Sequence, residues 1–358
     1  MSSRQDAGTE LSNFAHRQQL ADRYHSFPSP SVSVVIVSRD EPQLGATLEE
    51  LGRQLGAEAG RGIAKASEVL VVDASSSRLE RVREAHPWVR WIDFKAPPGL
   101  GVTIALQRNT GVRESTGEVI VFVDSGCVPS EGWLARLVAP IQRGDELVVS
   151  GRATGAHNTF ERPAPPRRLC YLEEAPTISL AVHRRVFEAV GGFDESFAYG
   201  SDVDFTWRVV DAGVRIRYEP QAIVEHDWGN FQRRMRRARQ YGAARARLYR
   251  KHRRRVLRAF YEDPVPFVYP LWLLGLPIAF RRPTYLLLLA VPLWRARRHA
   301  EPIEVVLAHV LQGVGSLAEV TNWVVGGRGR DPGMQSDRSS QQDGEGSSEG
   351  SWGAAAVG

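Results

Sequence analysis

Up to residue 227 the chain alternates between short unbroken apolar runs and segments whose apolar positions return every three or four residues. The clearest run is Val119-Ile-Val-Phe-Val123, five consecutive apolar residues of which four are β-branched. Such a run predicts a strand buried on both faces, as in parallel sheets. Ser31–Ser38 and Glu68–Asp73 have the same character, and Val89–Ile92 gives a shorter strand. Leu44, Leu48, Leu51 and Leu55 predict a helix after the first strand. Further helices are predicted over Arg78–Ala85, from about Val102 to Glu114 behind the Pro97–Gly101 loop, and over Trp133–Ile141. Beyond these, Glu146–Ser150 and Ile178–His183 read as strands on either side of a Pro- and Arg-rich loop at 160–168. Arg184–Ala189 reads as a short helix stopped by Gly191-Gly192. Another helix opens at Tyr199–Arg208 and ends near Gly213. Arg215–Glu219 is extended, and Ala222–Asp227 is a last strand with His226 at its end. Strands alternating with helices predict an α/β fold built on a doubly wound sheet.

Two of the strands run into a carboxylate, at Asp73 and Asp124. In open α/β sheets ligands collect beyond the carboxyl ends of the strands, where acids can hydrogen-bond a ribose or a base. Read alone, Asp124 is equally a turn residue capping its own backbone. The chain has neither GxGxxG nor GxxxxGK[ST], which argues against a Rossmann dinucleotide site or a kinase-type phosphate loop.

Composition sharpens this only at the ends. The 358 residues, 42% hydrophobic, suffice for one large domain plus an extension. Two cysteines, Cys127 and Cys170, make no disulfide framework and no metal-type CxxC, which favours a reducing compartment. Residues 1–27 are polar and lack the apolar core of a signal peptide, so 1–30 is expected as a flexible leader ending at Pro28-Ser-Pro30. The net charge of +5 is concentrated: Arg233 to Arg258 holds twelve Arg and one Lys with no acid. That block predicts a basic helix or helix pair facing an anionic surface. A nucleic-acid partner is not expected, because no recognition motif accompanies the block. The apolar segments Pro264–Phe280 and Pro283–Trp294 fall short of the ~20 residues a spanning helix needs, and read as a re-entrant hairpin or as in-plane segments. Val305–Val325 has the length, but Gln312, Glu319 and Asn322 make it an amphipathic helix. Residues 328–358, rich in Gly and Ser, are expected to be disordered.

Several segments, in order, resemble the family-2 glycosyltransferases. Val34–Asp40 is similar to that family's first strand, and Val69–Ser75 to its second, with the nucleotide-contacting Asp. Arg108-Asn109-Thr-Gly111, then Gly117-Glu118 and the run into Asp124, resembles the approach to its DxD metal motif. Val190–Glu195 resembles its acceptor-side GGFDE segment, and Gly200-Ser-Asp202-Val-Asp204 with His226 resembles its catalytic GEDxD segment and late His.

The resemblance implies a GT-A fold: a Rossmann-like mixed sheet flanked by helices over residues 31–230, with a helical C-terminal extension over 231–327. It implies an inverting transferase of the hexosyltransferase type, moving a sugar from a nucleotide-diphosphate donor to a hydroxyl acceptor. Asp202 takes the base position. At a helix start, the dipole is expected to lower its pKa and keep it ionised; the plain alternative is a helix cap. Arg39, Asp40, Asp73, Arg108 and Asp124 are the donor-side candidates, with Asp40 also able to cap the next helix. Ser179 and Asp204 are the acceptor-side candidates; Asp204 is equally a solvated first-turn carboxylate. Asp124 and His226 are the candidate ligands of a divalent Mg2+ or Mn2+ ion. The extension adds an anionic membrane partner, a lipid-linked or cell-envelope glycan acceptor, and a place at the cytoplasmic face of the cell membrane. Two positions depart from the pattern: the second acid of DxD is Gly126, and the acid before Asp202 is Ser201. Both favour a rival, a non-catalytic sugar-nucleotide or glycan-binding protein with a degenerate metal motif.

Overall fold

A computed structural model describes residues 31–59, 67–75, 77–155, 170–262, 264–297 and 301–325. The leader to residue 30, the loop at 160–168 and the tail from 328 lie outside these residues.

Four parallel strands form one half of a nine-stranded sheet: β1 (Val32–Ser38), β2 (Ser67–Asp73), β3 (Arg90–Asp93) and β4 (Val119–Val123). β1 pairs with β2 on one side and β4 on the other, which makes its carboxyl end a switch point of the winding. The second half departs from a purely parallel sheet. β8 (Ser179–His183) runs antiparallel between β4 and β6 (Val148–Thr154), so the start of β8 meets the end of β4, with Ser179 opposite Val123. β9 (Ile216–His226) is parallel to β6, and β7 (Cys170–Leu172) and β5 (Cys127–Pro129) pair antiparallel with its two ends. The segments 215–219 and 222–227, which the sequence separates, belong to this single strand. Its pairing with β6 shifts register between Ser150 and Arg152, which accommodates Pro220 in a bulge.

The pleat of the inner strands sorts their side chains to two faces. Val32, Val34 and Ile36 of β1 and Val119, Val121 and Val123 of β4 pack on α1 (Leu44–Ala59) and α4 (Trp133–Gln142). Val35, Ile120 and Phe122 pack on α3 (Ile104–Glu114), α5 (Arg184–Ala189) and α6 (Ser201–Asp211). Every residue of β4 is buried, as its unbroken apolar run requires. The small helix α2 (Glu80–Ala85) lies between β2 and β3 in the chain.

Within the Arg108–Gly111 segment, Gly111 and Asn109 each have a structural role. Gly111 lets α3 lie directly on Val35 and Val72, where a Cβ would clash. Asn109 clamps the loop after α5: its Nδ2 donates to the Phe193 carbonyl at 2.9 Å, and its Oδ1 accepts from the Phe193 N–H at 2.9 Å.

The C-terminal extension packs on the sheet domain rather than standing free. α7 (Phe231–Lys251) lies against α12 (Pro302–Val325), close enough that a Cβ on Gly242 or Gly315 would strike the facing backbone. Two bidentate pairs hold the helices together. Arg234 meets Glu304 at 2.5 and 2.7 Å, and Arg247 meets Glu319 at 2.8 and 3.0 Å. Removing one partner of such a buried pair costs about 3–5 kcal/mol. α7 is also tied to the sheet domain through Arg245 on Glu174 and Lys251 on Asp194. Arg234, Arg245, Arg247 and Lys251 of the basic block are therefore engaged in internal ion pairs. Among the described residues α12 is the one helix long and apolar enough to cross a membrane, and half of that stretch is buried in the protein.

Between α7 and α12, α8 (Val256–Glu262), α9 (Val265–Leu274), α10 (Leu276–Ala279) and α11 (Ala290–Ala296) carry the apolar segments. The chain folds back on itself there: Tyr285 donates to the Trp272 carbonyl at 2.8 Å and its ring stacks on that indole.

Candidate active site

The carboxyl ends of β1, β2 and β4 place two groups of side chains along one edge of the sheet. At the β1–β2 end, Asp73 Oδ1 accepts from the Ser75 N–H at 3.0 Å and from its hydroxyl at 2.5 Å. The Ser75 hydroxyl oxygen in turn accepts from the Asp40 N–H at 2.5 Å, joining the two strand ends. Asp40 adopts a left-handed conformation (φ 57°), and its carboxylate faces Arg78 at 3.2 Å instead of capping α1. Burial, and then the nearby Asp40 charge, push the Asp73 carboxyl above its ordinary range, against the hydrogen bonds from Ser75. Asp73, Ser75, Leu79, Arg83, Trp91 and Asp93 line a cavity of about 200 Å³. Arg39 donates to the Gly101 carbonyl at 2.9 Å, closing the loop before α3.

The second group centres on Arg108. It is buried on α3, passes over the Phe193 ring, and donates to Asp124 Oδ1 at 2.7 Å. The same guanidinium acts on Asp202, the second residue of α6, whose Oδ1 accepts from the Val203 N–H at 2.9 Å. The expected depression of the Asp202 pKa is not found. Burial raises it, and the Arg108 charge and the Val203 N–H offset that only in part. The helix start is covered by α7: a Cβ on Gly200, itself left-handed (φ 81°), would lie 3.2 Å from Leu248 and 3.3 Å from Ala244. The half-buried carboxylate is less solvated than one at a free helix start, and this outweighs the helix dipole.

His226 ends β9 directly opposite Cys127 of β5, with Nδ1 3.5 Å from the thiol. Burial lowers its pKa, the Asp124 carboxylate partly restores it, and Arg237 and Arg233 of α7 lower it further. The imidazole is therefore neutral near pH 7. The Cys127 thiol stays protonated, because burial and then the Asp124 charge push it well above its usual range.

Sequence reading missed the contribution of α7. Arg233, Arg237, Tyr241, Ala244 and Leu248 share one helix face. Ala244 and Leu248 press on Gly200, so the arginine end of the stripe runs on toward His226. Tyr241 meets Tyr199 edge-on at 6.5 Å, and its pKa is raised to about 12 by burial, against Arg237 and with Asp202 and Asp124 adding to the rise. The four-residue spacing of these side chains was the available signal, but the arginines on the other faces obscured it.

Two predicted acceptor residues do not reach the cleft. Ser179 is 1% exposed and accepts from Trp133 Nε1 at 2.8 Å. Asp204 is fully buried, with Arg208 at 2.8 Å on one oxygen and Lys251 at 2.6 Å and His252 at 2.8 Å on the other. It fastens α6 to the end of α7, which corrects its placement both as an acceptor contact and as a solvated carboxylate. Arg108, Asp124, Asp202 and His226 are brought together, and Asp40 and Asp73 stand beside them at the neighbouring strand ends. Among the described residues no three His, Cys, Asp or Glu side chains gather closely enough to hold a metal ion unaided.

Comparison with known proteins bears on what this edge is. Residues 33–199 match the sequence model of "Glycosyl transferase family 2". They form a family-2 glycosyltransferase domain. The pre-mycofactocin glycosyltransferase of Mycobacterium tuberculosis is 34% identical over 141 residues, which is 34% of this chain and 30% of that protein. Glycosyltransferase AglE of Haloferax volcanii is 31% identical over 129 residues, 33% of this chain and 42% of that protein. The chain thus spans well under half the length of these relatives. The mannosyltransferase PcManGT of Pyrobaculum calidifontis, solved with GDP-Man and Mn2+, superposes with a TM-score of 0.58 at 18% identity, covering 88% of this chain and 96% of that one. The fold of this family-2 domain and its helical extension is accordingly that of the GT-A glycosyltransferases.

Proposed function

We propose that the protein is an inverting glycosyltransferase that moves a hexosyl group from a nucleotide-diphosphate sugar to a hydroxyl acceptor. The observation that carries this is the Asp124–Arg108–Asp202 arrangement, in which one buried cation serves the acid of the metal motif and the candidate base. The acceptor oxygen attacks the anomeric carbon and forms the new glycosidic bond. The bond to the donor β-phosphate oxygen breaks, and the nucleoside diphosphate leaves with the electron pair. Asp202 accepts the acceptor's proton. Arg108 and Arg237 face the charge that gathers on the departing diphosphate. Asp73 and the cavity beside it are suited in size and hydrogen-bonding capacity to the donor's base and ribose. A divalent cation would supply further charge compensation at the diphosphate, with Asp124 and the neutral His226 as its holders; such an ion needs only one or two protein acids when phosphate oxygens complete its shell. The test is release of nucleotide from a panel of UDP- and GDP-sugars across acceptors, with and without Mn2+ or Mg2+. Acceptor-dependent release is expected. Donor binding without turnover across the panel would favour the non-catalytic reading that Gly126 and Ser201 suggest.

We further propose that the enzyme works at the cytoplasmic face of the cell membrane on a lipid-linked or cell-envelope glycan. Support comes from the apolar segments, which expose Leu271, Leu274, Phe280, Leu287, Val291 and Trp294 beside Arg281 and Arg282. A surface of this kind matches an anionic bilayer better than water. With vesicles of mixed neutral and anionic phospholipid, the full chain is expected to co-sediment, and Leu271→Glu with Leu287→Glu to cut the bound fraction at least fivefold. Equal binding of the variant, or none by the wild type, would remove the membrane from this proposal.

A further inference from the structure

The space that the second acid of a DxD motif would use is not vacant in this protein. Gly126 is left-handed (φ 81°), and its N–H donates to Thr47 Oγ1 of α1 at 3.1 Å. A Cβ built on Gly126 would lie 3.2 Å from Cδ of Glu41, 3.3 Å from its Cγ and 3.4 Å from its Oε1. The carboxyl group of Glu41, delivered by the loop between β1 and α1, therefore fills the volume that a side chain at 126 would enter. Two acids thus stand at the end of β4: Asp124, two residues before Gly126, and Glu41, against Gly126 itself. Asp124 is matched by Arg108. Glu41 accepts a long hydrogen bond of 3.3 Å from the Gln43 N–H and has no cationic partner among the described residues.

We propose that Glu41 replaces the acid missing from position 126, so that a divalent cation accompanying the donor diphosphate is held between Asp124 and Glu41. The assignment rests on the donor reading above and pairs Asp124 with an acid that comes from a different strand end. Oxygen ligands suit Mg2+ and Mn2+, and two carboxylates with phosphate oxygens and water form a usual shell for them. It also explains how a chain with Gly at this position keeps two acids at the site: the left-handed backbone and the absent Cβ leave room for Glu41.

The test reads metal binding directly. Free Mn2+ is followed by electron paramagnetic resonance as MnCl2 is titrated into the full-length protein with saturating UDP or GDP. UDP and GDP affinities are measured separately in EDTA. Glu41→Gln keeps the size and the hydrogen-bond acceptor and removes the charge. It is expected to weaken Mn2+ binding at least tenfold while the affinity in EDTA changes less than twofold. Glu49→Gln, an exposed acid on α1, is expected to bind Mn2+ as the wild type does. A loss below threefold in Glu41→Gln overturns the assignment while leaving the donor reading in place. Absence of nucleotide-dependent Mn2+ binding in the wild type overturns the assignment together with the metal-assisted reading. Failure of both nucleotides to bind either in EDTA or with Mn2+ present overturns the donor reading itself.

Discussion

Replacing Asp202 with Asn is expected to lower kcat by about 10²–10⁴, the range for loss of a general base, while donor affinity changes less than about threefold. The substitution is nearly isosteric, and the amide oxygen can still accept from the Val203 N–H, so the start of α6 is preserved. What disappears is the group that takes the acceptor's proton. Its environment also sets a pH dependence. A base must be ionised, and burial raises Asp202 above the ordinary aspartate value of 3.8. The rate should therefore fall as pH drops through a midpoint above that value. The neighbours give the signs: Arg108 lowers the Asp202 pKa, and Asp124 raises it. Asp124→Asn should move the acid limb of the pH–rate profile to lower pH. Glycosyl transfer by Asp202→Asn at a wild-type rate would remove Asp202 from its role.

Arg108→Gln should have the second large effect. Its guanidinium is 7% exposed and hydrogen-bonded to Asp124 at 2.7 Å, so nothing in solvent substitutes for it. Loss of one preorganised group that stabilises transition-state charge costs about 10²–10³ in kcat. The acid limb should also move to higher pH, because a charge that favours ionised Asp202 is gone. Steady-state kinetics across pH measure both. A variant slowed equally at all pH values would mean that Arg108 acts on the leaving group without coupling to the base. An unslowed variant would contradict both of its assigned parts.

The inner strands were legible in the sequence because burial on both faces leaves no polar position to interrupt the run, as in Val119–Val123. β5 and β7 were not, since three residues carry no period. β9 was read as two strands because Glu219-Pro-Gln breaks its apolar pattern, and only the pairing with β6 shows one strand with a bulge. Asp73 and Asp124 could be named from their places at strand ends, whereas Asp202 and His226 stood out only through the family resemblance. The roles of the arginines could not be read in this way. Their partners Asp194, Asp204, Glu174, Glu304 and Glu319 lie 48 to 72 positions away from α7 and the adjoining His252, so the engaged and exposed members of the block look alike in one dimension. The same limit hid Glu41, which the sequence separates from Gly126 by most of the parallel half of the sheet. Its meaning appears only where β1 and β4 end side by side.

The most direct measurement is a crystal structure of the protein with Mn2+ and the nucleoside diphosphate that binds best. The diphosphate is expected at the β4 end, within contact of Arg108 and beside Asp124, with the base in the cavity lined by Asp73 and Trp91 and Asp202 open on the other side. Nucleotide seated elsewhere, for example in the larger cavity of about 300 Å³ lined by Trp207, Tyr249 and Glu173, would contradict the assignment of this edge as the donor site.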